Sequence, residues 1–494
     1  MADDARVLVP AADQSWLHMD RPTKLMYGHG LFILDGEPDL AQFREVCRER
    51  MINRYRVFSQ CAVQSGAQWY WEDDPAFDLA RHLTRVELPG ASDAAALQDH
   101  IGRAFATPFD HDHPLWNIDL IVGVHGFGPT PTSAIHFRAH HAITDGIRIV
   151  QLILSLFDHV GDEHELPPRV GRDNESHGLL AAGPEAVRRG LADAGDIGRS
   201  LVDGALHLPR TVAGHLRPSA LQSDLAALIH PGRLVDVFEL LGSTQNESIN
   251  TVGEMSRVLA SGHEVTTAWS GTPGIDKLVA WVDGLDLAAM KTVARRHDAT
   301  LNDLYMTLVS LALTDYLRER DALVEEIHWM MPMSLQPLDI ESAPTELGNH
   351  FCLVFVPMPL GSDDFGEVVH AVQTRMQRVK NSQEPVITFG LQKVMARLPR
   401  AMANALTDLF ASKAAGVLSA VPGPATPMSV CGVPVASILA WPPNSGDQAM
   451  SMCMFSYSGE VTIGLACDAT LLPDPQVITG YLRRAYDRHV VGAI

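Results

Sequence analysis

The chain of 494 residues predicts a mixed α/β (α+β) fold built as two lobes. Three observations predict it. Short apolar runs of strand length alternate with segments of helical spacing over residues 1–160. A stretch rich in Pro, Gly and charge, GDEHELPPRVGRDNESHGLLAAGP, breaks that pattern at 161–184. The same alternation then resumes near residue 265 and runs to the C-terminus. At roughly 100–200 residues per domain the length suits two or three domains. The divisions expected are an N-terminal lobe over 1–160, a linker and helical crossover over 161–264, and a C-terminal lobe over 265–494.

In the first lobe, YGHGLFILDG (27–36) reads as a strand ending in a turn. Residues 39–54 carry Leu40, Phe43, Val46, Cys47 and Met51 at helical spacing. Residues 116–125 and 133–139 read as strands, and IRIVQLILSLFDHV after Asp145 as a buried helix. The segment 185–240 reads as helical, with many glycines and interspersed arginines, and suits a covering or crossover piece. The second lobe opens with a strand at 278–284, then helices at 286–297 and 302–318. Strands at 327–334 and 349–358 and a helix at 364–380 follow. Strands near 415–421, 435–441, 449–457 and 460–467 and a helix at 475–490 close the chain.

Composition narrows the function. Hydrophobic residues make up 46% and charged ones 20%, a globular balance. A formal charge of -21 makes a poor general binder of nucleic acid or anionic membrane, so an anionic ligand needs a local basic patch. The six cysteines form no closely spaced pair, which fits buried, inert thiols in a reducing compartment. The acidic N-terminus lacks the features of a signal peptide, and no window suits a membrane span. A cytoplasmic protein is expected.

The richest segment is HFRAHHAITDGIRIV. A strand delivers His140 and His141 to its end, and Asp145 and Gly146 start a helix. A carboxylate four residues after His141 can orient the loop or pair with a basic residue, holding the imidazole in place. Read alone, the pair also fits a plain strand end, a helix cap or a weak metal site. No third ligand stands at a recognisable spacing, and His111 and His113 read better as a solvated turn, so no metal is expected. No GxSxG elbow is present to supply a serine nucleophile.

HHAITDG resembles the HHxxxDG signature of the CoA-dependent acyltransferase superfamily. Further motifs resemble the bacterial wax ester synthase/diacylglycerol acyltransferase family, in that family's order. They are Pro114-Leu115-Trp116; Asn302-Asp303; the strand from Pro332 to Pro337; Gly348-Asn349; Ser419-Ala420-Val421-Pro422-Gly423-Pro424; and SYSGEVTIGLACD from Ser456 to Asp468. Ala420 stands where the family usually has Asn, and Ser270 and Lys277 depart from a stretch that usually contains NG and ends in Arg.

The resemblance implies two chloramphenicol-acetyltransferase-like lobes, each a mixed sheet with flanking helices, and an active-site tunnel between them. It implies an acyl-CoA co-substrate, a diacylglycerol or long-chain alcohol acceptor, and no tightly bound cofactor. His141 is then the general base, His140 and Asp145 support the loop, and Asn302 is an oxyanion donor. Gly146 would allow close backbone approach to substrate. Asn302 also suits a helix cap, Trp116 a core residue, and the VPGP run a sharp turn. A carrier-protein-dependent acyltransferase and an inactive lipid-binding homologue are the rival readings. The stripe LQKVMARLPRAMANALTDLF (391–410), with Lys393, Arg397 and Arg400 among its apolar residues, suits an interfacial helix at a membrane or lipid-droplet surface, or equally a helix packed on the second lobe.

Overall fold

A computed structural model describes residues 6–66, 68–127, 132–159, 266–334, 343–349, 351–380 and 400–493. The expected linker and crossover, and Lys393 and Arg397 of the stripe, lie outside the described residues.

The N-terminal part runs β1 (Arg6–Leu8), α1 (Ala11–Met19), β2 (Tyr27–Leu34), α2 (Leu40–Cys47), β3 (Gln60–Ser65), β4 (Gln68–Asp73), α3 (Leu79–His82), β5 (Leu83–Glu87), α4 (Ala94–Ala106), β6 (Trp116–Val124), β7 (Thr132–His140), α5 (Gly146–Leu154) and β8 (Asp158–His159). The C-terminal part runs β9 (Lys277–Asp286), α6 (Leu287–Arg296), α7 (Leu301–Arg318), β10 (Glu326–Ser334), β11 (Phe351–Pro359), α8 (Phe365–Lys380), α9 (Arg400–Ala411), β12 (Gly416–Pro422), β13 (Met428–Val430), β14 (Val433–Trp441), β15 (Met450–Tyr457), β16 (Glu460–Asp468) and α10 (Pro475–His489).

Two mixed sheets organise these elements. The first has the order β5-β6-β7-β2-β14-β13-β8 and the second β11-β10-β12-β15-β16-β9, with a small β1-β4-β3 sheet beside the first. Strands such as β7 and β15 are buried almost throughout, as expected where both faces of a sheet are covered. Helix α7 is buried nearly all round, which makes it the spine of the second core. Its start is fixed by a capping box in which Thr300 and Asp303 bond each other's backbone N–H.

Two features depart from the reading above. The helix expected over 39–54 stops at Cys47 and continues as a π-turn, Arg48–Ile52. This wider turn keeps Met51 in the core beside Phe43 and Cys47. Strands β13 and β14, though late in the sequence, complete the first lobe's sheet: β14 pairs with β2, Trp441 opposite His29. The prolines of the VPGP turn end β12 and let the chain leave the second sheet there. The lobes also touch through α4, where a Cβ on Gly102 would lie 2.6 Å from the Lys277 carbonyl oxygen of β9. Only glycine allows that approach.

Candidate functional site

The site begins with how β7 ends. The His140 N–H donates to the Leu115 carbonyl (2.9 Å) and the His141 N–H to the Met26 carbonyl (2.8 Å), so both neighbouring strands fix the histidine pair. Asp145 caps α5 by accepting from the Arg148 N–H (2.9 Å).

His141 is buried, and the hydrogen bond among the described residues that engages its ring is at Nδ1. Its Nδ1 lies 2.8 Å from Asn349 Oδ1. The Asn349 amide nitrogen donates to Asp13 Oδ1 (2.7 Å) and to the His141 carbonyl (2.9 Å). Both of those partners are acceptors, so the amide can be turned only one way. Its oxygen must accept, and Nδ1 carries the proton. Nε2 is left with its lone pair, and no hydrogen bond among the described residues engages it. Trp16 stacks on the ring at 4.1 Å and Phe351 lies at 5.5 Å. Burial pushes His141 down to about 4, against the smaller upward pull of the Asp145 charge and the Asn349 bond. The ring is therefore a neutral imidazole at neutral pH. Asp13 is pushed up to about 6 by its own burial, opposed by its bond from Asn349.

His140 faces away from this network. It is fully buried, its Nδ1 accepts from the Ala142 N–H (2.9 Å), and its Nε2 lies 3.2 Å from Asp20. Those bonds hold the turn after β7. Asp145 pairs with Arg148 at 2.7 Å, and the Arg148 Nε donates to the Glu346 carbonyl at 3.0 Å. With the Asp145 N–H donating to the Gly348 carbonyl (3.2 Å), this ties the histidine loop of one lobe to the Gly348-Asn349 loop of the other. Gly348 sits at φ +130°, a conformation that favours glycine and turns Asn349 toward the ring. Gly146 is exposed, and a Cβ there would meet nothing within 4 Å, so open space lies beside the start of α5.

The remaining motif residues are placed as follows. Pro114-Leu115-Trp116 opens β6 next to the histidines; Trp116 is buried, donates to the Phe58 carbonyl (2.9 Å) and stacks on His82. Asn302 does not cap its helix: Thr300 does, and Asp303 serves that cap. The buried Asn302 side chain has no hydrogen bond to the His141 network among the described residues. Ser419 lies in β12 opposite Cys453, and Ala420 opposite Met454, within the second sheet. Lys277 pairs with Asp468 at 2.6 Å, and Ser270 Oγ accepts from the Thr267 N–H. His111 is exposed in a turn, and His113 bonds Asp74 at 3.0 Å. All six cysteines are free, and five are buried.

Sequence reasoning missed Asp13, Trp16 and Asp20. They flank the histidines from α1 and the segment after it, where no motif was read. It also missed a cluster of His100, Asp119 and His136, whose ligand atoms lie within 4.8 Å of one another. Their separation in sequence gives no ligand spacing to read.

Comparison with known proteins gives consistent relatives. Residues 9–305 match the family profile described as the wax ester synthase/diacylglycerol acyltransferase catalytic domain, and residues 347–488 match the WS/DGAT C-terminal domain. The O-acyltransferase WSD of Acinetobacter baylyi is 22% identical over 95% of this chain and 94% of its own. A probable diacylglycerol O-acyltransferase of Mycobacterium tuberculosis is 23% identical over 82% of this chain and 77% of its own. In structure, the chain resembles the wax ester synthase/diacylglycerol acyltransferase of Marinobacter aquaeolei VT8 (TM-score 0.64, 17% identity, 99% of both chains). It also resembles the first condensation domain of the calcium-dependent antibiotic synthetase (TM-score 0.54, 14% identity, 99% of this chain and 97% of that one). These likenesses bear out the two-lobed fold.

Proposed function

Because the chain belongs to the wax ester synthase/diacylglycerol acyltransferase family, we propose that it moves a fatty acyl group from acyl-CoA to the hydroxyl of a diacylglycerol or long-chain alcohol, with His141 Nε2 as general base. The observation that carries this reading is the Asp13–Asn349–His141 chain of hydrogen bonds, which fixes the one tautomer whose Nε2 can accept a proton.

The steps follow from that tautomer. Nε2 takes the acceptor hydroxyl proton as the oxygen bonds to the thioester carbon. The resulting imidazolium keeps its Nδ1–H on Asn349, with the ion-paired Asp145 nearby to lower its cost. The tetrahedral intermediate then collapses, the carbon–sulfur bond breaks, and Nε2–H returns the proton to the CoA thiolate. No covalent enzyme intermediate is needed. For the oxyanion we propose Asn302. Its place in the first turn of α7, where backbone dipoles favour negative charge, supports that role. The open space beside Gly146 suits close passage of a substrate.

The acceptor dissolves in lipid, so we further propose peripheral contact with a membrane or lipid-droplet surface; α9 itself buries Leu406, Phe410 and Ala411 within the protein, so its described apolar face is not that surface. Among the described residues no helix is long and apolar enough to cross a membrane.

The test is an acceptor screen with palmitoyl-CoA, following CoA release with fatty alcohols, mono- and diacylglycerols and small alcohols. Lipid hydroxyls are expected to support turnover, and His141→Ala to lower it at least ~10²-fold with an unchanged melting temperature. Near-normal turnover by His141→Ala would remove His141 as the base.

A further inference from the structure

Beneath α4, on the first lobe, three side chains from three elements meet. His100 comes from α4, Asp119 from β6 and His136 from β7, and Asp119 and His136 are direct cross-strand partners. One ligand atom from each lies within 4.8 Å of the other two. His100 Nε2 is 3.1 Å from Asp119 Oδ2. The other carboxylate oxygen, Oδ1, already accepts from Thr84 Oγ1 (2.8 Å) and Asn117 Nδ2 (3.0 Å). His136 is fully buried; its Nε2 lies 3.1 Å from His29 Nδ1, and its Nδ1 has no hydrogen-bond partner among the described residues. A buried ring nitrogen left bare is costly, and here it lies beside two further groups that could share a ligand with it.

We infer that His100, Asp119 and His136 bind a divalent transition-metal ion, Zn²⁺ being the best match. Two borderline imidazole nitrogens and one harder carboxylate oxygen form a set that zinc takes, and three protein ligands leave a position for water. The surrounding bonds are those a metal site needs. His29 sits on the second nitrogen of His136 and can accept its proton, which frees Nδ1 for the ion. Thr84 and Asn117 hold the carboxylate in place. An ion can enter, because the His100 and Asp119 side chains keep 18% and 13% of their surface exposed. No side-chain hydrogen bond among the described residues joins this cluster to His141, so the ion is a brace and takes no part in the acyl transfer. It would pin α4 to β6 and β7, and α4 is the helix whose Gly102 rests on β9 of the other lobe.

The experiment uses the full chain, stripped with a chelator, dialysed and titrated with ZnCl₂. Bound zinc is measured by elemental analysis after desalting, and thermal unfolding is followed with and without zinc. The wild type is expected to retain one equivalent more zinc than His100→Ala or Asp119→Asn, and zinc should raise its melting temperature but not theirs. His29→Gln should keep the site with about 10–100-fold weaker affinity. His100 lies on the half-exposed side of its helix, so circular dichroism of His100→Ala should match the wild type. Equal zinc retention and equal zinc-dependent stabilisation in wild type and variants would overturn the inference. So would a wild type that retains none, a result that needs no variant to fold.

Discussion

Asn349 is a positioning residue, because it acts through His141 and not on the substrate. Asn349→Ala should leave the ring free to take the other tautomer, and turnover should fall by about 10²-fold or more, since a triad base with the wrong tautomer loses up to ~10⁴. A merely structural role would lower stability without moving the pH profile. Asn349→Asp should raise the His141 pKa by placing a carboxylate on Nδ1, and so move the acid limb of kcat/KM upward. In the wild type the limb should fall well below the free histidine value of 6.5, toward about 4, because only neutral His141 is a base. An apparent pKa at or above 6.5 would contradict the burial described for that ring. Stability is a poorer readout of the same groups. The contribution of His141, whose pKa is depressed on folding, is full above 6.5 and lost as pH falls toward about 4. Asp13, whose pKa is raised from 3.8 to about 6, contributes in the opposite direction over that span. The histidine pair, Asp145 and Asn349 were legible in the sequence because short spacing or a motif marks them. Asp13 and Trp16 were not, because only the folded chain brings residue 13 to residue 349.

At the level of single elements, α5 is the one most exposed to damage. Asp145 is at once its N-cap, the partner of Arg148 and, through its backbone, a tether to Gly348. Asp145→Ala should cost about 1–3 kcal/mol, from a lost cap and a partly buried guanidinium left without its carboxylate, and should lower turnover with it. Differential scanning fluorimetry beside a CoA-release assay checks this. An inactive variant with an unchanged melting temperature would give Asp145 a direct chemical role instead. Most of the strands and helices that were read end within a residue or two of the observed ones, because apolar runs and periodicity carry that signal locally, but α1, β3, β4, α3, β5 and α4 were not read at all. The π-turn after α2 was not, since a widened turn leaves the apolar spacing of Phe43, Cys47 and Met51 unchanged. The true cap of α7 was hidden for a similar reason, Thr300 and Asn302 both being good caps two residues apart.

For the molecule as a whole, two contacts are predicted to matter. Gly102→Ala would drive a methyl into the Lys277 carbonyl, and should destabilise the protein by about 1–3 kcal/mol while weakening the fit between lobes. Unfolding in urea measures it; an unchanged midpoint would mean that α4 and β9 shift apart freely. If the 391–410 stripe meets lipid, changing Lys393, Arg397 and Arg400 to Glu should reduce liposome co-sedimentation, at about 1 kcal/mol for each basic side chain removed. Turnover of a short water-soluble alcohol should survive, and equal loss on both acceptors would make the stripe a packed helix. The sequence showed two lobes but placed 428–441 in the second, because β14 reads locally like any strand, β13 is too short to read, and the sheet they join is set by distant partners. That exchange has a mechanical consequence. A protease cut anywhere in 160–265 severs the backbone between the lobes, yet the C-terminal fragment still holds a ribbon woven into its neighbour's sheet. The nicked protein should therefore stay one particle on a sizing column, and neither fragment should behave as a sound half when made alone. Two halves stitched in this way cannot part without unfolding a strand of the first sheet.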